Sequence, residues 1–302
     1  MRYKITKKFL MFWCLFVFIG ALYGSICMFI DNSGKLLCMN DLLPYFKTLP
    51  LSDILFKNYI FSGISLLIVN GITNFIALYF LVKDKKIGII LGTIFGFTLM
   101  LWITIQFIIF PRNIMSTMFF IIGFIQFITG YMTYVFYMQS HFVFNADDYK
   151  NIGKNKKNLV LFFSRMGYTK KIAYEKANSI GSDIYEIKSK EKVSETLGFW
   201  NSGRYGMYKI GMPIEDINID LKKYSNIIIV SPIWVFNISS PVLEFLNRYK
   251  NDIKDHEYIF THFMSNTFEN VANELDEILN SKRVHFKSIC IRFGKIKKCI
   301  EK

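Results

Sequence analysis

The sequence predicts two fold classes in one chain: an N-terminal α-helical transmembrane bundle of four spans, and a C-terminal α/β domain with a doubly wound parallel sheet of five strands. Hydrophobic residues make up 52% of the 302 residues and charged residues only 20%, whereas soluble domains average about 45–50% and 25%. The residues from Asp147 onward carry 26 of the 37 Lys and Arg residues. In this second half, short apolar runs alternate with helical patterns. A single soluble domain and a disordered chain are therefore excluded.

Four stretches without charged residues are long enough to cross a bilayer. Each has 22 or more residues, and a helix of that length measures about 33 Å, against about 30 Å for the hydrocarbon core. We therefore divide the chain into a transmembrane domain (1–146), a basic juxtamembrane linker (147–157) and an α/β domain (158–302). The predicted spans are Phe9–Ile30, Tyr59–Val82, Ile87–Phe110 and Ile114–Met138.

Lysine and arginine residues in the short loops set the predicted orientation. They cluster before the first span (Arg2 to Lys8), between the second and third spans (Lys83 to Lys86) and after the fourth (Lys150 to Lys157). Cytoplasmic loops carry such an excess of positive charge. We therefore expect a multi-pass protein of the inner cell membrane, with both termini and the α/β domain in the cytoplasm.

The spans contain small and amide residues but no ionisable residue of the kind that marks a substrate path, which is the less favoured alternative for their amides. Glycines at spacing four (Gly88, Gly92, Gly96) favour close helix packing within the bundle, with a homo-oligomeric seam as the alternative. Buried amides in lipid need partners, so Asn70, Asn74 and Gln126 predict hydrogen bonds between helices. The bundle is interpreted as an anchor or assembly module.

The second half alternates apolar runs with helical patterns, which is typical of an open parallel sheet with helices on its faces. Ligands bind such sheets beyond the carboxyl ends of the strands, where the strand order reverses. Strands are predicted over 158–163, 183–187, 226–231, 256–262 and 284–292, and helices over 170–180, from Pro241 onward and over 269–279.

The first strand is followed by Ser164-x-x-Gly167-x-Thr169, which opens a helix. Backbone N–H groups at a helix N-terminus, together with two hydroxyls, can hold an anion. The segment resembles the phosphate loop of the flavodoxin family. Plain helix capping by Ser164 and Thr169 is the alternative interpretation.

The third strand is followed by Pro232-Ile-Trp234-Val-Phe-Asn237, and a helix begins at Pro241. This segment resembles the second flavin loop of the flavodoxin family, in which Pro-x-Trp places an aromatic residue beside the flavin ring. Leu197–Gly203 is similar to a segment of microbial members. The alternative for Trp234 is a packed aromatic at the end of a strand.

The resemblance covers about residues 158–292 and implies the flavodoxin fold, with strand order 2-1-3-4-5, and FMN as the cofactor. Three departures stand out: Met166 replaces a hydroxyl residue, Phe236 replaces a common glycine, and the loop 262–266 lacks glycines. Arg165 could supply a compensating charge. The implied cofactor-binding residues are Ser164, Arg165, Met166, Gly167, Tyr168, Thr169, Pro232, Ile233, Trp234, Val235, Phe236 and Asn237.

The resemblance implies a membrane-anchored FMN protein that transfers electrons to a membrane-proximal acceptor such as a quinone or a partner protein. Two alternatives stay open: a flavin-free flavodoxin fold that docks a partner, and an enzyme similar to the menaquinone-dependent protoporphyrinogen oxidases. The lipid bilayer is an expected partner. Metal and nucleic acid are not expected, because the sequence has no Cys/His cluster and no aromatic-interleaved basic face.

The end of the chain departs from the flavodoxin pattern, in which a helix follows the last strand. Only Phe293–Lys302 remain here, and Gly294 with three nearby lysines makes a poor helix. The sequence therefore predicts a truncated last helix and an uncovered sheet face. The expected covers are the extension of span four through His141–Tyr149, the bilayer surface or a second subunit.

Overall fold

The structure is a computed structural model that describes residues 2–193 and 196–302, with the backbone alone at 196 and 197. Contacts between Cα atoms divide the chain into two units, Met1–His141 and Phe142–Lys302.

The first unit contains four long helices: α1 (Arg2–Ile30), α2 (Ile60–Val82), α3 (Lys86–Ile109) and α4 (Ile114–Ser140). All four are long and apolar enough to cross a membrane, and they correspond to the four predicted spans. Helix α1 begins seven residues before the apolar run, since Arg2–Lys8 continue the same helix. The connection between α1 and α2 holds short helical turns at Lys35–Leu37, Asn40–Thr48 and Ser52–Leu55.

Glycine residues let α3 pack closely against its neighbours within the bundle. A Cβ atom at Gly96 would lie 2.6 Å from the backbone nitrogen of Phe127 on α4, and one at Gly92 would lie 3.3 Å from Cys14 Sγ on α1. A Cβ atom at Gly88 would meet the backbone of Leu81 on α2 at 2.5 Å. The predicted packing role of these glycines is confirmed.

The second unit is a seven-stranded sheet flanked by four helices. The chain order is β1, α5, β2, α6, β3, β4, α7, β5, α8, β6, β7. The strands are β1 (Asn155–Phe162), β2 (Ser182–Glu186), β3 (Asn226–Trp234), β4 (Asn237–Ile238), β5 (Asp255–His262), β6 (His285–Arg292) and β7 (Lys295–Glu301), and the helices are α5 (Tyr168–Ile180), α6 (Thr196–Met207), α7 (Ser240–Tyr249) and α8 (Glu269–Leu279).

The sheet order is β2-β1-β3-β5-β6-β7, with β4 paired to the end of β3. The five parallel strands β2, β1, β3, β5 and β6 follow the predicted doubly wound order. The prediction of only five strands is wrong. β4 returns on β3 as a hairpin, and β7 adds an antiparallel edge to β6.

The chain end forms strand β7 where the flavodoxin pattern has a helix. A two-residue turn, Phe293 (φ +52°) and Gly294 (φ +79°), reverses the chain after β6. Two positive φ values in a two-residue loop match the twist of a β-hairpin. Lysines on the exposed strand protect this edge from pairing with another chain.

Apolar side chains cover both faces of the sheet. On one face, the strands pack against α7 and α8 through buried residues that include Leu161, Ile229, Phe245 and Leu275. On the other face they pack against α5, through residues that include Val160, Ile228, Ile172 and Ala177.

The segment that precedes β1 lies along helix α5. The ring of Phe142 lies 4.7 Å from that of Tyr168, the ring of Phe144 lies 4.9 Å from that of Tyr174, and Asn151 donates its N–H to Asn178. The sequence analysis expected one of three elements to cover the sheet face that lacks the last helix. The structure shows one of them, the segment after span four, packed on α5 of that face.

Candidate functional site

The candidate site lies at the carboxyl ends of β1 and β3. These strands are neighbours in the sheet, and the chain leaves them in opposite directions, toward β2 from β1 and toward β5 from β3. Such a reversal opens a crevice between the two loops that follow the strands. The twelve residues predicted from the sequence lie on the end of β3, on the loops after β1 and β3, in the first turn of α5 (Tyr168 and Thr169) and at the start of β4 (Asn237).

The loop after β1 is closed by its own serine. Ser164 Oγ accepts a hydrogen bond from the Gly167 N–H at 3.1 Å, and Gly167 has φ +88°, which favours glycine. Helix α5 starts at Tyr168, and its first backbone bond runs from the Lys171 N–H to the Gly167 carbonyl. The N–H groups of residues 168–170 therefore have no partner within this helix and present a partial positive charge.

Thr169 points into the protein. Its hydroxyl lies 2.8 Å from that of Thr261 on β5, and both side chains are buried. Tyr168 is half-buried beside Phe142, and its burial raises the pKa of the phenol. The hydroxyl of Thr169 thus has a protein partner, in addition to the phosphate role that the family resemblance implies for it.

Arg165 joins this loop to α6. Its guanidinium carbon lies 4.8 Å from the ring centre of Phe199, within the range of a cation–π contact. Its Nη2 also lies 3.5 Å from Met166 Sδ. Phe199 and Trp200 on α6 are both more than half exposed. The arrangement brings one positive charge and the exposed ring of Phe199 to the loop after β1, and the ring of Trp200 lies 6.0 Å from that of Phe199.

The loop after β3 is a tight β-hairpin. Ile233 pairs with Ile238 and Trp234 with Asn237, so only Val235 and Phe236 form the turn. Both turn residues have positive φ, +46° and +66°. This geometry favours glycine or asparagine, and a β-branched valine there is strained.

Trp234 and Phe236 face different surroundings. The ring of Trp234 meets that of Phe163 edge-on at 5.4 Å and belongs to the partly buried rim of the core. Phe236, at the hairpin tip, is 56% exposed. The sequence interpretation assigned the flavin-facing aromatic role to Trp234, whereas Phe236 is the aromatic ring of this hairpin that lies open to a ligand. Its position in a two-residue turn depends on strand pairing, which sequence reasoning missed.

A shallow groove of about 360 Å³ lies between the hairpin tip and the loop after β5. The sequence analysis compared this loop with the family's third flavin loop only through its missing glycines at 262–266, and it assigned no binding residue there. The groove is lined by Phe236, Asn266, Thr267, Phe268 and Asn270.

The loop after β5 is held by His262. Nδ1 of this histidine lies 2.6 Å from the Met264 carbonyl oxygen, and Nε2 lies 2.7 Å from Ser288 Oγ. Burial lowers the pKa of His262, and the Met264 carbonyl opposes that shift. The neutral ring can donate from Nδ1 to Met264 and accept at Nε2 from Ser288. His262 is therefore a structural residue of the loop.

The residues fit a bound phosphate better than they fit a buried neutral ligand. Loop 164–169 contains no carboxylate, and it offers N–H groups of α5 that have no partner within the helix, the Ser164 hydroxyl and the Arg165 charge. These are the donors that bind a phosphate at a helix N-terminus.

No family model matches the chain, and no curated protein matches it. The chain is similar to several solved structures. A flavoprotein from Lactobacillus acidophilus NCFM, crystallised in complex with FMN, is 25% identical over 45% of this chain and 93% of its own, with a TM-score of 0.38. The apo form of the flavoprotein from that organism is 27% identical, with a TM-score of 0.33. The match covers 43% of this chain and 89% of that one. A flavoprotein candidate from Bacteroides eggerthii DSM 20697 is 23% identical, with a TM-score of 0.39. The match covers 44% of this chain and 86% of that one.

Proposed function

We propose that the chain is a membrane-anchored flavodoxin-like protein, which binds FMN and passes electrons between a soluble reductant and a membrane-proximal acceptor, either a quinone or a partner protein. The observation that carries the proposal is the loop at the end of β1, where Ser164 and Gly167 precede the open N-terminus of α5. It lies where the strand order reverses, the usual place for a ligand in a doubly wound sheet.

The phosphate of FMN suits this loop because the phosphate is anionic and needs several hydrogen-bond donors. The N–H groups of Tyr168, Thr169 and Lys170 supply backbone donors, and the Ser164 hydroxyl adds one more. Arg165 supplies a positive charge whose orientation is fixed by its contact with Phe199. Lys170 contributes less, because it is paired with Glu186 at 2.8 Å.

The flavin ring suits the space between the two loops. Phe236, on the hairpin after β3, and Phe199, beside Arg165 of the loop after β1, offer exposed aromatic surface. Apolar or aromatic surface is what a flat ring needs to leave water. When bound, FMN supplies the redox chemistry, while the chain binds the group, orients it and limits its exposure to water.

The membrane anchor suits an acceptor in or near the bilayer. The four helices are long and apolar enough to span it, and the Lys and Arg residues favour cytoplasmic termini. The residues from Asp147 onward carry more Lys and Arg residues than acidic ones. A basic domain is attracted to anionic lipid by about 1 kcal/mol per charge, so the chain is proposed to work at the inner membrane surface.

A second candidate function is that of a flavin-free interaction module. Two internal contacts favour it. The Thr169 hydroxyl is bonded to Thr261, and the Trp234 ring is packed on Phe163, so two groups implied to contact flavin already have protein partners.

The spectrum of the full chain purified in detergent separates the two candidates. We expect an oxidised-minus-reduced difference spectrum of flavin, and about one FMN per chain released on denaturation. Ser164→Ala and Gly167→Val should each reduce the bound FMN. Ser179→Ala, at the other end of α5, is the matched control and should not. A colourless chain that takes up no added FMN would favour the interaction module.

A further inference from the structure

Three amide side chains lie inside the membrane bundle. Asn70 is 1% exposed, and Asn74 and Gln126 are fully buried. The interior of a bilayer offers no bulk water, so every buried polar group there needs a partner in the protein or a bound ligand.

Gln126 and Asn74 are bonded directly to other parts of the bundle. Gln126 Nε2 donates to Asn74 Oδ1 at 2.8 Å and to the Gly92 carbonyl at 3.0 Å, and it lies 3.6 Å from Cys14 Sγ. Asn74 Nδ2 donates to the Asn70 carbonyl at 2.9 Å. The predicted interhelical hydrogen bonds are thus confirmed for these two residues, and they join α2, α3 and α4.

Asn70 differs from both, because its whole amide group is unpaired. Neither Nδ2 nor Oδ1 has a hydrogen-bond partner among residues 2–193 and 196–302, and the same holds for Gln126 Oε1. A donor and two acceptors therefore remain unsatisfied within one polar cluster, with Asn74 linking its two ends. A buried unsatisfied polar group is strongly destabilising, and native proteins contain few of them.

The backbone around Asn70 is also unusual. Helix α2 forms a π-helical turn over Leu67–Ile72, and Asn70 lies in its centre. Single π turns inside α-helices are rare and are frequent at functional sites. The neighbouring residue, Gly71, faces α1, since a Cβ atom there would be in ordinary van der Waals contact with Ala21 Cβ, at 3.6 Å.

We propose that Asn70 and its π turn form an intramembrane binding site for a neutral hydroxyl group. A hydroxyl both donates and accepts hydrogen bonds, so its O–H can donate to Oδ1 of Asn70 while its oxygen accepts from Nδ2. A water molecule has a second O–H, which can donate to Gln126 Oε1. The ligand is neutral because the stretches 59–82 and 114–138 contain no charged side chain to balance an ion. The hydroxyl comes either from a bound water molecule or from a lipid-soluble alcohol or phenol. The inference is independent of the flavin proposal.

The first test compares the stability of two variants in the full chain. Cys14 and Cys27 are buried in the bundle and can report its unfolding to a thiol-reactive dye, after Cys38, Cys290 and Cys299 are replaced by Ser or Ala. If Asn70 holds a hydroxyl, Asn70→Leu should lower the midpoint of thermal unfolding by at least about 2 °C. If the amide has no ligand, the leucine removes an unpaired polar group and the midpoint should rise, which would overturn the proposal.

Asn74→Leu is the matched control. It breaks direct bonds to Gln126 and to the Asn70 carbonyl, so the midpoint should fall whether or not a ligand is bound. This variant shows that the assay detects the loss of one buried amide in α2.

The second test identifies the source of the hydroxyl. X-ray radiolysis of the full chain in ¹⁸O water should label side chains next to Asn70 if water is bound, and the label should disappear in Asn70→Leu. A lipid-soluble ligand should appear in an organic extract of the purified chain and be lost from the extract of the variant. If neither is found, the site holds no hydroxyl and the proposal is wrong.

Discussion

Thr169 at the start of α5 and Thr261 at the end of β5 share a buried hydrogen bond, with their hydroxyl oxygens 2.8 Å apart. The bond ties the loop after β1 to a strand two positions away in the sheet. In the sheet, β3 lies between β1 and β5. The contact therefore fixes the N-terminus of α5 to a strand on the other side of β3. A residue implied to bind phosphate therefore also holds the site together.

Thr169→Val should destabilise the second unit by about 1–3 kcal/mol, because it leaves the buried Thr261 hydroxyl without its partner. The double variant Thr169→Val/Thr261→Val should lose less free energy of unfolding than the two single variants lose together, because no hydroxyl is then left unpaired. Chemical denaturation of the full chain, followed by labelling of the buried Cys290, measures this. Strict additivity would contradict the bond.

Trp234→Ala should cost much more stability than Phe236→Ala. Trp234 packs on Phe163, so its removal should destabilise the second unit by about 3 kcal/mol. Phe236 is 56% exposed, and its removal should change stability by less than about 0.5 kcal/mol.

The flavin content of the two variants completes this comparison. Phe236→Ala should reduce bound FMN in a chain that remains fully folded, because the exposed ring at the hairpin tip is the one that can cover the flavin. Unchanged FMN content in Phe236→Ala, combined with a loss in a folded Trp234→Phe variant, would instead return the ring contact to Trp234.

The coarse architecture could be predicted because it depends on composition and local pattern. Runs of 22 or more uncharged residues predict helices long and apolar enough to cross a membrane, whatever they pack against. Buried parallel strands such as Leu159–Phe162 are apolar on both faces. The end of α2 at Val82 and the start of α8 at Glu269 also follow from local signals.

The finer features depend on contacts between distant residues. Lys295–Glu301 forms a strand because β6 offers an edge, and the segment alone gives no such pattern. Trp234 turns toward Phe163 because β3 continues into a hairpin, and Thr169 turns inward because Thr261 faces it from β5. The π turn around Asn70 likewise has no local sequence signal, since Leu67–Ile72 reads as an ordinary apolar helix.

The stability of the second unit should fall as the pH drops below about 6.5. Burial holds the pKa of His262 below its ordinary value, whereas an unfolded histidine titrates near 6.5. In the pH window between these two values the unfolded chain binds more protons than the folded chain, so stability is highest above pH 6.5 and decreases toward the folded pKa.

Labelling of Cys290 can follow this effect, because Cys290 is the strand partner of His262 and is buried. His262→Asn is the control, since its amide can donate to the Met264 carbonyl but does not titrate. We expect the ratio of labelling rates, wild type over variant, to rise as the pH is lowered from 7.5 to 5.5. A ratio independent of pH would show that His262 does not couple folding to protonation.

The proposed topology can be tested with cysteines that the chain already has. Cys38, between α1 and α2, and Cys299, on β7, are both exposed, whereas Cys14, Cys27 and Cys290 are buried. If the Lys and Arg distribution sets the orientation, Cys38 lies outside the cytoplasm and Cys299 inside it.

A membrane-impermeant maleimide should therefore label Cys38 alone in cells whose inner membrane is intact, and both cysteines after permeabilisation. Cys38→Ser should abolish the first signal and Cys299→Ser should remove only the second. Labelling of Cys299 before permeabilisation would place the α/β domain outside the cytoplasm and contradict the proposed orientation. The domain would then be out of reach of any soluble cytoplasmic reductant, which would also contradict the proposed electron supply.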